Sequence, residues 1–179
     1  TVACSSGMAA ISLVLELFSS GDHLICSNDL YGGSTRLFTL QQNKGLKFSY
    51  VDTTNLKSFK QYIRPQTKAV FIETPSNPTM QISDLKKISA LCQAHKLLLI
   101  VDNTFLSPYF QNPLLLGADI VIHSATKFLS GHNDIIAGSI STGDHKLAKR
   151  IREVSKTVGN SLSPLDCYLL IRGLKTLAI

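Results

Sequence analysis

Leu97-Leu98-Leu99-Ile100-Val101-Asp102 is an unbroken apolar run closed by a carboxylate, the most apolar stretch of the 179-residue chain. A short run with no polar break reads as a strand buried on both faces, the pattern of a parallel sheet covered by helices. Comparable runs stand at His23 to Cys26, Phe48 to Val51, Ala69 to Ile72, Ile120 to His123 and Ile135 to Ile140, and the opening Thr1-Val2-Ala3 is already strand-like. Helical spacing fills the intervals. Met8 to Phe18 carries it, as do Leu85, Ile88, Leu91 and Cys92 behind a Ser83 cap. Ser34 to Asn43, Leu56 to Ile63 and Lys146 to Lys156 read as further helices, and Pro164 to Leu177 as a last one whose proline suits a first helical turn. Strands alternating with helices predict an α/β fold with a largely parallel sheet.

Composition narrows the class. Hydrophobic residues make up 44% and charged residues 17%, a globular balance able to bury a core. The length suits one compact domain, residues 1–179, or the larger part of a bigger one. The net charge of +6 is scattered over helix-like segments such as Lys146, Lys149, Arg150 and Arg152, which reads as a solvated face and not as a nucleic-acid stripe. Cys4, Cys26, Cys92 and Cys167 form no C-x-x-C or Cys/His cluster, so neither a metal site nor a disulfide framework is indicated, and they read as core residues in a reducing compartment. No apolar run reaches membrane-spanning length and no signal peptide is visible, which predicts a cytoplasmic protein with no membrane partner.

In an open α/β sheet, ligands bind beyond the carboxyl ends of the strands. Asp102 stands at such an end, where a carboxylate is costly unless it meets a cation or hydrogen-bond donors. A protonated pyridine nitrogen would satisfy it, and the ionised carboxylate would keep that ring an electron sink; a helix cap or an ion pair is the plainer reading. Lys127 follows the next strand, flanked by the hydroxyls of Ser124 and Thr126. Lysine forms Schiff bases, although a lysine after a strand is usually just solvated. Ser5-Ser6-Gly7-Met8-Ala9-Ala10 places small residues at a helix start, an anion site or an ordinary cap. Tyr31 precedes Gly32-Gly33, where a flexible backbone would let the ring lie flat on a planar cofactor, and Arg36 is a carboxylate-binding candidate. No phosphate-loop or dinucleotide glycine fingerprint is present, which weakens nucleotide binding.

Taken in order, Ser6-Gly7-Met8-Ala9-Ala10, Asp29-Leu30-Tyr31-Gly32-Gly33, Glu73-Thr74-Pro75-Ser76-Asn77-Pro78, Val101-Asp102-Asn103-Thr104-Phe105, Ser124-Ala125-Thr126-Lys127 and Arg172-Gly173-Leu174-Lys175-Thr176-Leu177 resemble the Cys/Met-metabolism pyridoxal-phosphate enzymes, which include cystathionine γ-synthase, β-lyase and γ-lyase. The resemblance implies an aspartate-aminotransferase-like (fold type I) large domain with a mostly parallel central sheet, lacking the N-terminal segment and the C-terminal small domain.

It also implies that pyridoxal 5'-phosphate is bound covalently by Lys127, with Asp102 on the pyridinium nitrogen, Tyr31 stacked on the ring and Thr104 supporting the Asp102 side. Gly7 and Met8 would give backbone donors to the phosphate, assisted by Ser124 and Thr126, while Asn77 and Arg36 would lie on the substrate side. Lys127 would move the α-proton, with Tyr31 assisting. The implied reaction makes or cleaves C–S bonds of sulfur amino acids, on a substrate such as cystathionine or an activated homoserine, in a dimer-based homotetramer. Gly33 stands where methionine γ-lyases often carry Cys. Ser130-Gly131-His132-Asn133-Asp134 and Ser163-Pro164-Leu165-Asp166 are closest to bacterial cystathionine γ-synthases and β-lyases. A γ-lyase, or a noncatalytic cofactor-binding protein, is the alternative. With substrate-binding residues expected outside these 179 positions, the chain alone is expected to turn over little.

Overall fold

The computed structural model describes the backbone of residues 1–179 and every side chain other than those of Lys57 and Ser58. In chain order the elements are β1 (Val2–Cys4), α1 (Gly7–Leu15), β2 (His23–Ser27), α2 (Gly32–Gln42), β3 (Lys47–Val51), α3 (Leu56–Phe59), β4 (Thr67–Glu73), α4 (Leu85–Ala94), β5 (Leu98–Asp102), α5 (Ser107–Phe110), β6 (Ile120–His123), β7 (Gly138–Ser141), α6 (His145–Val158) and α7 (Pro164–Leu174). They divide into two compact units. The first comprises Thr1–Leu17, Asn103–Asn112 and Val121–Ile179, the second Phe18–Asp102 and Pro113–Ile120.

The second unit matches the parallel expectation. Its strands run in the order β5-β4-β2-β3, each parallel to its neighbour. β2 is buried along its whole length and β4 nearly so, which is why their sequences lack the alternation of a half-exposed strand. Phe38 of α2 stacks on Phe48 of β3 at 4.8 Å and meets Phe71 of β4 edge-on at 5.2 Å, fixing that helix to the sheet. The parallel register sets Glu73 beside Asp102 at the ends of β4 and β5.

The first unit departs from it. β7 lies antiparallel to both β1 and β6, so the short strand at the chain's opening pairs with one more than 130 residues later. The expected strand from Ile135 to Ile140 begins only at Gly138. Ile135 and Ala137 are apolar because they pack with Ala125 and Leu129 under Leu162, Leu169, Leu170 and Leu177, and core burial outside a strand leaves the same mark on a sequence. α1 is held at both ends. Ser6 caps it by accepting the Ala9 N–H at 2.9 Å, Asn160 donates to the Ala9 carbonyl at 3.0 Å, and the Arg150 guanidinium donates to the Leu17 carbonyl just beyond its last turn.

Helix boundaries shift for local reasons. α4 is capped by Asp84, whose carboxylate accepts the Lys87 N–H at 3.1 Å, while the Ser83 hydroxyl is taken by Thr53 at 2.6 Å. Gly32-Gly33 forms the first turn of α2 and not a loop. The expected helix from Leu56 to Ile63 is one turn of α-helix followed by a 3-10 turn, Lys60–Tyr62. α6 runs from an Asp144 cap to Gly159, which takes the left-handed φ of +79° that ends helices. α7 starts at Pro164, as expected, behind a Ser163 cap, and stops at Leu174, short of the expected Leu177. Among the described residues no helix is long and apolar enough to cross a membrane.

Candidate active site

In the first unit the polar groups gather where β1 turns into α1. Gly7 and Met8 open the helix, and the first-turn amides of a helix have no acceptor within it, so their N–H groups face outward as partial positive charge. Space there is tight: a Cβ on Gly7 would lie 2.7 Å from the Ser124 Cβ, and one on Gly138 would overlap the Ser6 carbonyl. The glycine pair thus lets α1 begin flush against the loop that follows β6. Ser124 donates its N–H to the Thr104 hydroxyl at 2.8 Å, linking the loops after β5 and β6.

Lys127 lies in the same loop, exposed, its own N–H bonded to the Ser124 carbonyl at 3.1 Å. Thr126 is differently engaged. Its hydroxyl donates to the Ala137 carbonyl at 3.1 Å and accepts the Ala137 N–H at 3.0 Å, so it fastens the lysine loop to the segment before β7 and its one proton is committed there. Ser124 is the better-placed hydroxyl for an anion.

Below that loop is a neutral network that sequence reasoning missed. The Asn103 side-chain amide donates to the carbonyls of Ser107 and Gln111 at 3.0 and 2.9 Å and faces His123 Nε2 at 3.1 Å, while the Gln111 amide donates to Asn103 Oδ1 at 2.8 Å. Burial drives the His123 pKa down to about 4, so the imidazole is neutral near pH 7.

The second unit presents carboxylates instead. Glu73 and Asp102 are 7% and 8% exposed and adjacent across the β4–β5 pair. Glu73 Oε2 accepts the Tyr31 N–H and Oε1 the Asn77 N–H, both at 2.9 Å. Burial, with the nearby charges of Asp102 and Asp29, pushes the Glu73 pKa up to about 7 against the pull of those two N–H donors. Asp29 accepts from the hydroxyls of Ser76 and Thr79 and the Thr79 N–H, tying the same two loops from the solvent side; those hydroxyl bonds hold its pKa below the usual carboxylate value. Tyr31 is the N-cap of α2 and is 48% exposed. Arg36 lies exposed on the same helix, its guanidinium folded back toward Gly32, and Asn77 is half-buried in the loop after β4.

The sequence candidates therefore fall into two sets. Gly7, Met8, Thr104, Ser124, Thr126 and Lys127 belong to the first unit, and Tyr31, Arg36, Asn77 and Asp102 to the second. Glu73 carried the signal that singled out Asp102, a carboxylate closing an apolar strand, and went unread.

A helix start packed against a lysine-bearing loop in the first unit, and carboxylates at parallel strand ends in the second, are features of α/β enzyme domains that bind ligands beyond the ends of their strands. The chain belongs to the Cys/Met metabolism PLP-dependent enzyme family, whose model matches residues 1–179. It is 51% identical over 179 residues to the cystathionine gamma-synthase/O-acetylhomoserine (thiol)-lyase of Bacillus subtilis (strain 168), covering 99% of this chain and 48% of that one. With the cystathionine gamma-lyase of Homo sapiens it shares 44% over 180 residues, 99% of this chain and 44% of the relative. The crystal structure of cystathionine gamma-lyase from Lactobacillus plantarum complexed with L-serine superposes with a TM-score of 0.98 at 48% identity, over 99% of this chain and 47% of that chain. The fold-class expectation thus holds, and the chain spans about half the length of the curated relatives it matches.

Pyridoxal phosphate is the cofactor of this family, and the residues present fit it. The cradle at Gly7 is lined by backbone and by Ser124, where a side chain would intrude. Outward N–H groups, a hydroxyl, a primary amine and a strand-end carboxylate are the donor set that a phosphate, a carbonyl and a ring nitrogen require.

Proposed function

We propose that residues 1–179 are part of the large, cofactor-binding domain of an enzyme that makes or cleaves C–S bonds of sulfur amino acids, of the cystathionine β-lyase or γ-synthase type. One observation carries the reading: over 99% of its length the chain is 48–51% identical to relatives named for those reactions. Pyridoxal phosphate, when bound, supplies an electron-withdrawing ring beside the substrate's amino group.

The chain's own residues supply the rest. Lys127 Nζ would hold the cofactor through its carbonyl and would be the base that takes the proton from the substrate α-carbon. Asp102 would face the ring nitrogen and, as a carboxylate, hold a proton on it, with Thr104 in support. Gly7 and Met8 give N–H donors to the phosphate and Ser124 its hydroxyl; Thr126 contributes by fixing the loop that carries them. Tyr31 covers the ring face and assists proton transfer, and Asn77 and Arg36 orient the substrate carboxylate. The partner molecule is cystathionine or an activated homoserine, and the full-length enzyme is a cytoplasmic homotetramer in methionine biosynthesis.

Borohydride reduction of the cofactor-loaded full-length protein, followed by peptide mass mapping, tests the assignment. The adduct is expected on Lys127; an adduct on another lysine with Lys127 unmodified overturns it. Assays with cystathionine and with O-acylated homoserine then separate cleavage from synthesis.

A further inference from the structure

Glu73 has no role in that scheme, yet it touches both Tyr31 and Asn77. It is a carboxylate buried at the end of β4, and each of its oxygens receives one backbone N–H, from Tyr31 and Asn77, at the same 2.9 Å. Those donors come from two different loops, after β2 and after β4. Tyr31, as the N-cap of α2, makes no side-chain cap bond of its own, so the Glu73 contact is what fixes its backbone from the inside.

We propose that Glu73 is a positioning residue, a two-oxygen clamp that sets the separation and orientation of the ring-stacking Tyr31 and the substrate-side Asn77. The proposal rests on the roles of Tyr31 and Asn77 given above. Two observations favour placement over plain stability. The same loops are already tied by Asp29 through Ser76 and Thr79, so their cohesion does not require a second carboxylate. A carboxyl in register with Asp102 is, moreover, an expensive way to fill a buried position, because burial and a like charge both oppose its ionisation. What no apolar residue offers there is a rigid pair of acceptors with a fixed spacing between them.

The test compares full-length parent, Glu73→Gln and Glu73→Ala. Glutamine keeps the shape and one acceptor but turns an NH2 toward the other N–H, so one contact must fail; alanine removes both. Hydrogen exchange of the cofactor-free proteins, resolved to single amides by fragmentation, is the first readout. The Tyr31 or Asn77 amide is expected to exchange at least about ten-fold faster in Glu73→Gln, and both in Glu73→Ala, as for the loss of one charge-assisted hydrogen bond each, while the Ala9 amide in α1 is unchanged. Unchanged exchange at both amides in the glutamine variant overturns the clamp.

The second readout uses the loaded proteins. The near-ultraviolet dichroism of the bound cofactor, which reports how the ring sits on Tyr31, is expected to change, and KM to rise about ten-fold with kcat within about three-fold. A lowered melting temperature with dichroism and KM unaltered would make Glu73 merely structural and defeat the proposal. If the parent itself takes up no pyridoxal phosphate, the functional reading fails, and the exchange experiment still decides whether Glu73 clamps the two loops.

Discussion

The two compact units bury polar groups at their strand ends in opposite ways. In the first, Asn103, Gln111 and the neutral His123 close on one another and on backbone carbonyls. In the second, Glu73 and Asp102 lie side by side and Glu73 retains its proton up to a pH of about 7. A neutral network is complete by itself, whereas neighbouring carboxylates hold free energy that a proton or an arriving cation releases. On the proposed reading the first unit carries the attachment residue Lys127, and the second carries the carboxylates whose electrostatics answer to what binds.

The sharpest test of that division is a pair of substitutions. Lys127→Ala, at an exposed position of the first unit, should lower turnover of the full-length enzyme by at least about a thousand-fold while moving stability by no more than about 0.5 kcal/mol. Asp102→Asn in the second unit should leave cofactor attachment intact and still slow turnover by on the order of a hundred-fold, since it weakens the ring's pull on electrons and not the covalent link. Single-turnover rates beside cofactor occupancy decide it. Equal loss of occupancy in both variants would erase the division.

A purely steric change comes next. Gly138→Ala would drive a methyl into the Ser6 carbonyl and crowd the Gly7 nitrogen, and should destabilise by about 3 kcal/mol in urea titration, with weaker cofactor binding. Gly143→Ala, with open space around it in the same unit, should change neither.

Acid titration sets the units against each other. The His123 value is lowered from 6.5 to about 4, so over that interval the unfolded chain takes up a proton that the fold refuses, and stability falls as pH falls. His23, also lowered by burial, acts in the same direction. Glu73 is raised from 4.5 to about 7, so the folded state keeps a proton that the unfolded chain has released, and stability falls as pH rises. Between pH 4.5 and 6.5 the two largely cancel. Glu73→Gln should expose the histidine slope, a loss of roughly 2–3 kcal/mol on acidification across that window, and His123→Gln should tilt the balance toward stabilisation by acid. Urea midpoints at several pH values read both; parallel profiles in the two variants would refute the opposition. The smallest effect is expected at Asp144→Ala, which removes the acceptor of the Leu147 N–H at the start of α6 and should cost about 1 kcal/mol.

Much of this was legible in the sequence, and what escaped has physical causes. The buried strands β2, β4 and β5 announce themselves because both faces are apolar, yet that pattern carries no direction, so the antiparallel β1–β7–β6 group could not be told from parallel neighbours. Ser83 was an ordinary cap until Thr53, thirty positions away, claimed its hydroxyl. Thr126 reads in the sequence as a phosphate-side hydroxyl, whereas its bonds to Ala137 are visible only in the fold. Lys127 and Asp102 stood out as single residues in telling places, while Glu73 matters through two backbone amides that no side-chain motif displays.

The anchoring of α1 has a further consequence. With its first turn seated against Ser124 and Gly138 and tied by Asn160, and its far end held by Arg150, the helix is anchored at both ends. If Gly7 and Met8 receive the phosphate as proposed, their amides act as a fixed stop and the depth at which the anion rests becomes a built-in length standard. An analogue of pyridoxal phosphate with one methylene added between ring and phosphate would not be followed by the helix. It would have to leave those amides or lift its aldehyde away from Lys127, so on the proposed reading recognition would measure the length of the cofactor as much as its charge.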